Sequence, residues 1–250
     1  MKNSKSVAVL GGGSFGTVLA NLAASNGYNV SLWVRDSEQA LRINSEGANT
    51  IYHPELKLSK NIIASDNLKE VLNNKSIIFI ATPSIVFEQI VIRVSDYIDE
   101  KPYLVSCTKG ILDDPFRPLS DIISSKLSNT IGVLSGPNLA KEIADEKIAG
   151  TVIASPDESL INIVKSVLSS ETFKIYSSKD MQGVEMAGAL KNIYAVITCR
   201  MHLGILAIGC GKPAIIVEYN GVKAKGQLKH WDLEKDLLIN PQKINLLSIK

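Results

Sequence analysis

The segment SVAVLGGGSFGTVLANLAASNGYNVSLWVRD, residues 6–36, decides the fold of this chain. It opens with five mostly apolar residues and then a run of glycines. Apolar residues recur at helical spacing over 14–26 and stop at Gly27, a favoured residue type just after a helix. A second strand is predicted over 29–34. The segment therefore predicts a strand–helix–strand unit with a glycine-rich turn after its first strand.

The glycines of this turn have the spacing Gly11-x-Gly13-x-x-Gly16, which in this context is typical of dinucleotide binding. Gly11 permits a tight turn, Gly13 lets backbone amides approach a pyrophosphate, and Gly16 lets the helix pack close to the strand. Arg35 follows the second strand and would pair with the 2′-phosphate of NADP, whereas Asp36 would suit the ribose of NAD. NADPH is therefore favoured and NAD tolerated. The alternative is that Arg35 and Asp36 are simply two loop residues exposed to solvent.

The rest of the chain alternates short apolar runs with helical patterns. Strands are predicted at 76–82, 103–108, 130–135, 150–154 and 173–176, and helices at 66–72, 84–94 and 138–144. This alternation favours an α/β, Rossmann-like fold with a mostly parallel sheet flanked by helices. We expect a dinucleotide-binding domain over 1–178. Residues 180–200 predict one long helix, which would begin an incomplete helical domain at 179–250 with a poorly patterned tail.

Composition excludes several classes of protein. The chain has 250 residues, 27 Lys and Arg against 25 Asp and Glu, and 45% hydrophobic residues, which is ordinary for a globular protein. A net charge of +2 gives no strong field for nucleic acid. Three cysteines without zinc spacing suit a reducing cytoplasm and predict no metal site. No apolar run approaches the ~20 residues that span a bilayer, so no membrane insertion is expected.

Two lysines are candidate functional residues. Lys109 follows a buried strand and precedes Gly110, at the sheet edge where α/β folds bind ligands. Lys191 follows Ala187-Gly188-Ala189 in an apolar stretch, where a lysine can have a lowered pKa and do acid–base work. The alternative for Lys191 is a surface residue with its ammonium in water. His53, in the polar segment IYHPE, is expected to be an ordinary loop residue.

Six segments together resemble bacterial NAD(P)-dependent glycerol-3-phosphate dehydrogenase. In chain order they are VAVLGGGSFGTVLA, VSLWVRD, IATPS, SCTKGI, LSGPNLAKEIA and GALKNIYA. The resemblance covers roughly residues 5–198. It implies reversible, NAD(P)H-dependent reduction of dihydroxyacetone phosphate to glycerol 3-phosphate for phospholipid synthesis. TKG and GALKN count against a ketopantoate or hydroxyacid reductase of the same architecture.

The resemblance also implies roles for individual residues on the cofactor side. Ser14, Phe15, Arg35 and Ala140 would contact the dinucleotide. Lys109 would touch both the nicotinamide and the substrate.

On the substrate side, the resemblance implies that Gly136 and Asn138 line the site. Asn138 stands where the family often has Ser or Thr, which is a mild departure. Lys191 would be the proton donor to the carbonyl oxygen as the hydride arrives, and the proton acceptor in the reverse direction.

The resemblance stops at about residue 198. The family continues with an all-helical domain that holds the substrate phosphate with an Arg-Asn pair, and no arginine follows Arg200 in this chain. Such an abrupt loss of pattern indicates a shifted reading frame or a degraded gene. The alternative function is therefore dinucleotide binding without catalysis, by a chain that lacks the site for the substrate phosphate. A homodimer is possible, but its usual interface would be missing.

Overall fold

The computed structural model describes residues 6–98, 101–113 and 116–190, together with three short strands further along the chain. The protein divides into two compact units, Met1–Met186 and Ala187–Lys250. The domain boundary predicted at 178/179 stays a prediction.

The described residues of the first unit form ten strands and eight helices, and the last helix continues past Met186. The strands are β1 (Ser6–Leu10), β2 (Asn29–Trp33), β3 (Ile62–Ser65), β4 (Ile77–Ile80), β5 (Tyr103–Ser106), β6 (Ile111–Asp113), β7 (Phe116–Pro118), β8 (Ile131–Ser135), β9 (Ala149–Ala154) and β10 (Phe173–Ser178). The helices are α1 (Ser14–Ser25), α2 (Ser37–Glu46), α3 (Leu68–Leu72), α4 (Ser84–Ser95), α5 (Leu119–Lys126), α6 (Ala140–Ala144), α7 (Glu158–Leu168) and α8 (Met181–Leu190).

Eight strands form one sheet in the order β10-β9-β8-β5-β4-β1-β2-β3, and β6 pairs with β7 in a separate hairpin. All neighbours in the sheet are parallel except β8 and β9. The expected mostly parallel, Rossmann-like sheet is thus confirmed. Because β9 runs antiparallel to β8, Val152 pairs with Ser135, and the start of β9 lies at the carboxyl edge of β8 and of the strands beyond it.

The sheet is buried on both faces, which explains the near-continuous apolar strands. Successive side chains of a strand point to opposite faces. Val7 and Val9 of β1 accordingly belong to one core cluster, which includes residues of α1 and α7. Ala8 and Leu10 belong to the other, which includes residues of α3, α4 and α5.

The long helix predicted over 180–200 is wrong at its C-terminal end. The structure has α8 at Met181–Leu190 and then a strand, β11, at Val196–Thr198. β11 pairs in parallel with β12 (Ala214–Val217), which pairs with β13 (Leu238–Ile239). Three consecutive β-branched residues in β11 favour a strand over a helix, and that preference outweighs the helical pattern before it.

Candidate functional site

The sheet changes direction of winding between β1 and β4, which are adjacent but separated in sequence by β2 and β3. Open α/β sheets bind ligands outside the carboxyl ends of the strands at such a point. Gly11, directly after β1, has φ +119, and a Cβ there would lie 2.6 Å from the carbonyl oxygen of Ala81, directly after β4. A Cβ on Gly16 would overlap the carbonyl oxygen of Gly11. Both glycines are therefore required by backbone packing at this point.

The first turn of α1 presents free donors at the same place. Gly13 is the N-cap residue, and it supplies no side-chain hydrogen bond to the turn. No acidic residue lies in that turn. A Cβ on Gly13 would meet nothing within 4 Å, so this side of the turn is open. The backbone N–H groups of the first turn can therefore bind an anion such as a phosphate.

Buried amides hold the glycine turn in shape, and the sequence analysis did not find them. Asn49, 1% exposed, donates to the carbonyl oxygen of Gly12 at 3.0 Å and to the hydroxyl of Thr17 at 2.8 Å. Gln39 donates to the same Gly12 oxygen at 2.8 Å. No local sequence signal marks Asn49, since the two groups to which its side chain donates lie more than 30 residues away.

His53 also contacts the turn, although it was expected to be an ordinary loop residue. Its Nε2 lies 3.0 Å from both the hydroxyl and the carbonyl oxygen of Ser14, and the residue is 6% exposed. His53 therefore restrains Ser14, the first residue of α1, at the mouth of the candidate phosphate site.

A cleft of about 1020 Å³ opens over this turn. Eight of the sequence-predicted site residues line it: Gly11, Gly13, Ser14, Phe15, Arg35, Lys109, Asn138 and Ala140. Gly16 and Gly136 instead make close backbone contacts beside it. Lys191 lies outside the described residues. Apolar side chains that the sequence analysis did not assign to the site complete the walls: Trp33, Ile51, Tyr52, Ile85, Val86 and Ile90.

The segment after β5 brings Lys109 to the cleft. The hydroxyl of Thr108 donates to the carbonyl oxygens of Thr82 at 2.8 Å and of Ile80 at 3.2 Å, which joins this segment to the end of β4. Gly110 has φ +140, and a Cβ there would lie 2.9 Å from the Cβ of Ser84 at the start of α4. Only glycine suits this close approach to Ser84. The approach positions Lys109 at the edge of the sheet, as the sequence context of Lys109 predicted.

Asn138 is fixed by β9 at the far end of the cleft. It is 6% exposed, and its side-chain N–H donates to the hydroxyl of Thr151 at 2.9 Å. A Cβ on Gly136 would lie 3.0 Å from the Cα of Thr151, so the same strand constrains both predicted substrate residues. The Oδ1 of Asn138 and the hydroxyl of Thr82 are buried without a hydrogen-bond partner among the described residues, and both residues line the cleft. Unsatisfied buried polar atoms in a cleft are suited to a polar ligand.

Two absences hold for the part of the chain that the structure describes. No helix there is long and apolar enough to cross a bilayer. No group of three or more His, Cys, Asp or Glu side chains there could hold a metal ion.

Comparison with known protein families gives two matches. The model described as NAD-dependent glycerol-3-phosphate dehydrogenase N-terminus matches residues 6–161. The model described as polysaccharide pyruvyl transferase matches residues 144–221, a shorter stretch that overlaps the first.

Individual relatives agree with the first match. The glycerol-3-phosphate dehydrogenase (NAD(P)+) of Alcanivorax borkumensis is 48% identical over 190 residues, which are 76% of this chain and 55% of the relative. That of Teredinibacter turnerae is 43% identical over 212 residues, which are 84% of this chain and 61% of the relative. The crystal structure of glycerol-3-phosphate dehydrogenase from Coxiella burnetii superposes with a TM-score of 0.71 at 32% identity, covering 75% of this chain and 57% of that one. This chain thus spans little more than half the length of these relatives.

Proposed function

The chain belongs to the NAD-dependent glycerol-3-phosphate dehydrogenase family, and from this premise we propose that it binds NADP or NAD and reduces dihydroxyacetone phosphate to glycerol 3-phosphate. The observation that carries the proposal is the gathering of eight predicted residues in one cleft at the switch point of the sheet. The product would serve glycerophospholipid synthesis, and the proposed location is the cytoplasm.

The cleft fits a dinucleotide in size and in chemistry. Its volume of about 1020 Å³ lies at the upper end of the range for small-molecule sites. The first turn of α1 offers backbone donors to the pyrophosphate, and the open side of Gly13 leaves room for it. Apolar walls from Ile85 and Val86 suit the rings, and Arg35 offers a guanidinium to the adenosine end.

The opposite end of the cleft would hold the substrate. The resemblance implies that the ammonium of Lys109 contacts both the nicotinamide and the phosphorylated substrate, and the position of Lys109 in the wall of the cleft supports this. Asn138 has a buried amide oxygen to accept a hydrogen bond from a substrate hydroxyl. The hydroxyl of Thr151 accepts a hydrogen bond from the Asn138 side chain and so holds Asn138 in place.

The proposed chemistry needs one proton besides the hydride that a bound, reduced nicotinamide supplies. We propose that the ammonium of Lys191 donates this proton to the carbonyl oxygen of the substrate, and that its amine takes the proton back in the reverse direction. One hydride and one proton convert the ketone to the secondary alcohol.

A second candidate function is dinucleotide binding without turnover. Two observations favour it. Residues 201–250 contain no arginine, although arginine is the best bidentate partner for a substrate phosphate. A strand stands at Val196–Thr198, where the helix that carries the predicted proton donor was expected to continue.

One experiment separates the two candidates. Purified protein is mixed with NADPH, and loss of nicotinamide absorbance is followed with and without dihydroxyacetone phosphate, while binding is measured by nicotinamide fluorescence. Turnover that requires the substrate and disappears in Lys191→Ala supports the dehydrogenase. Binding of NADPH without turnover supports the second candidate. A folded protein that binds neither dinucleotide contradicts both.

A further inference from the structure

Arg93 lines the same cleft as Arg35, although nothing in its sequence context assigned it to a site. It lies in the last turn of α4. Val86, Gln89, Ile90 and Arg93 all line the cleft, and their spacing places them on one face of α4. This face is a wall about two turns long, at 1.5 Å per residue, that ends in a guanidinium.

Trp33 determines where that guanidinium lies. The Cζ of Arg93 is 5.6 Å from the centroid of the Trp33 ring, a cation–π distance. Trp33 is itself fixed, because it is 6% exposed and its indole N–H donates to the carbonyl oxygen of Asp66 at 3.0 Å. Trp33 is the last residue of β2, and Arg35 follows two residues later. Both arginines therefore belong to the β2 end of the cleft.

The acidic group nearest in sequence to Arg35 is already engaged. Asp36 caps α2 by accepting a hydrogen bond from the backbone N–H of Glu38 at 3.0 Å, and its other oxygen lies 4.0 Å from Arg42. Among the residues that the structure describes, no carboxylate lies within 4 Å of the guanidinium of Arg35 or of Arg93. Two guanidiniums without acidic partners at one end of a cleft suit a dianion.

We propose that Arg93 is a specificity-determining residue, which together with Arg35 binds the 2′-phosphate of NADP and so sets the preference for NADP over NAD. The inference rests on the proposed dinucleotide binding and names which form of the dinucleotide the site selects. The cation–π contact with Trp33 holds the guanidinium in place, so less side-chain freedom is lost when the phosphate binds.

The test compares the affinities of NADPH and NADH, measured by fluorescence titration without substrate. In Arg93→Met we expect the Kd for NADPH to rise about tenfold and the Kd for NADH to change less than about twofold. Arg93→Lys should recover part of the preference for NADPH over NADH, since lysine keeps the positive charge but lacks the paired N–H donors of the guanidinium. The control is Lys69→Met, the same change of charge on an exposed residue of α3 that does not line the cleft.

Two smaller probes isolate the adenosine end, namely adenosine 2′,5′-bisphosphate and 5′-AMP. Only the first should bind more weakly to Arg93→Met, and its advantage in the wild type should shrink at high salt because screening weakens ion pairs. Equal losses for NADPH and NADH would mean that Arg93 stacks on the adenine and would overturn the proposal. Unchanged affinities would overturn it too, while leaving the proposed function intact. A wild-type protein that binds neither dinucleotide would overturn both.

Discussion

The carboxylate of Glu185 accepts two hydrogen bonds from Ser120, one from its backbone N–H at 3.0 Å and one from its hydroxyl at 2.5 Å. The two residues are 65 positions apart, and Glu185 is only 3% exposed. Ser120 lies in the first turn of α5, whose N-cap residue is Pro118 and supplies no side-chain cap. Glu185 of α8 therefore caps a helix that is distant in sequence.

The first prediction concerns the pH dependence of stability. Burial raises the pKa of Glu185 and outweighs the donors on Ser120, which lower it. The folded protein then keeps a proton over a pH range in which the unfolded chain has lost it, so the free energy of unfolding falls as pH rises through that range. Glu185→Gln should remove this slope, because the amide does not titrate. Urea unfolding at about pH 4 to pH 8, which covers the titration range of carboxyl groups, measures how the free energy of unfolding changes with pH.

The control for Glu185 is Glu158→Gln. Glu158 is an exposed carboxylate on α7 that pairs with Lys179 at 3.1 Å, and surface pairs contribute little. We expect Glu158→Gln to keep the wild-type change of the free energy of unfolding with pH. Glu185→Ala should lower the free energy of unfolding by about 1–3 kcal/mol, since it leaves the backbone N–H and the hydroxyl of Ser120 without their acceptor. An unaltered slope in Glu185→Gln would contradict the prediction.

The second prediction separates folding from binding at the glycine turn. Gly16→Ala should destabilise the protein by about 3 kcal/mol or more, because the new Cβ would overlap the carbonyl oxygen of Gly11. Gly13→Ala should cost about 1 kcal/mol or less, since its Cβ meets open space. Its methyl group would nevertheless obstruct the pyrophosphate, so we expect at least about tenfold weaker NADPH binding. Denaturant unfolding and fluorescence titration check the two effects. Wild-type affinity in Gly13→Ala would exclude the turn as the phosphate site.

The third prediction concerns Asn49. Asn49→Ala removes the donors to Gly12 and Thr17 in a buried place, which should cost about 1–3 kcal/mol and weaken dinucleotide binding because the turn loses a support. The matched control is Asn61→Ala, at an exposed asparagine that donates to Ala24 at 3.3 Å. Unfolding curves and NADPH titrations of both variants measure the difference. Equal behaviour of the two variants would show that the buried amide does not support the turn.

The fourth prediction concerns the thiol of Cys107. It is 4% exposed, and burial raises its pKa, so the reactive thiolate is disfavoured at neutral pH. In a variant with Cys199 and Cys210 changed to Ser, the remaining thiol should react with iodoacetamide only after denaturant is added. Mass spectrometry of the alkylated protein measures this. Rapid alkylation under native conditions would show that the cleft admits the reagent to Cys107.

Most boundaries predicted from local pattern agree with the structure. The strand at Ser6–Leu10 has the predicted bounds, and α1 ends within one residue of its prediction. Helix α2 was not predicted, because its few buried residues make a weak apolar face. Helix α7 was not predicted either, although its buried residues do recur at helical spacing. The antiparallel direction of β9 could not be predicted, since an apolar run carries no information about strand direction.

The sequence by itself determined the glycine turn and the strands buried on both faces, because these features depend on neighbours within a few positions. The residues that would meet a dinucleotide stay a prediction. Only the tertiary structure decided that Asn49 and His53 support the turn, that the guanidinium of Arg93 lies over the ring of Trp33, and that Glu185 caps α5. Those contacts join residues 32 to 65 positions apart, and none of them produces a local period or motif. They exist because the packing of helices against both faces of one sheet brings distant segments together.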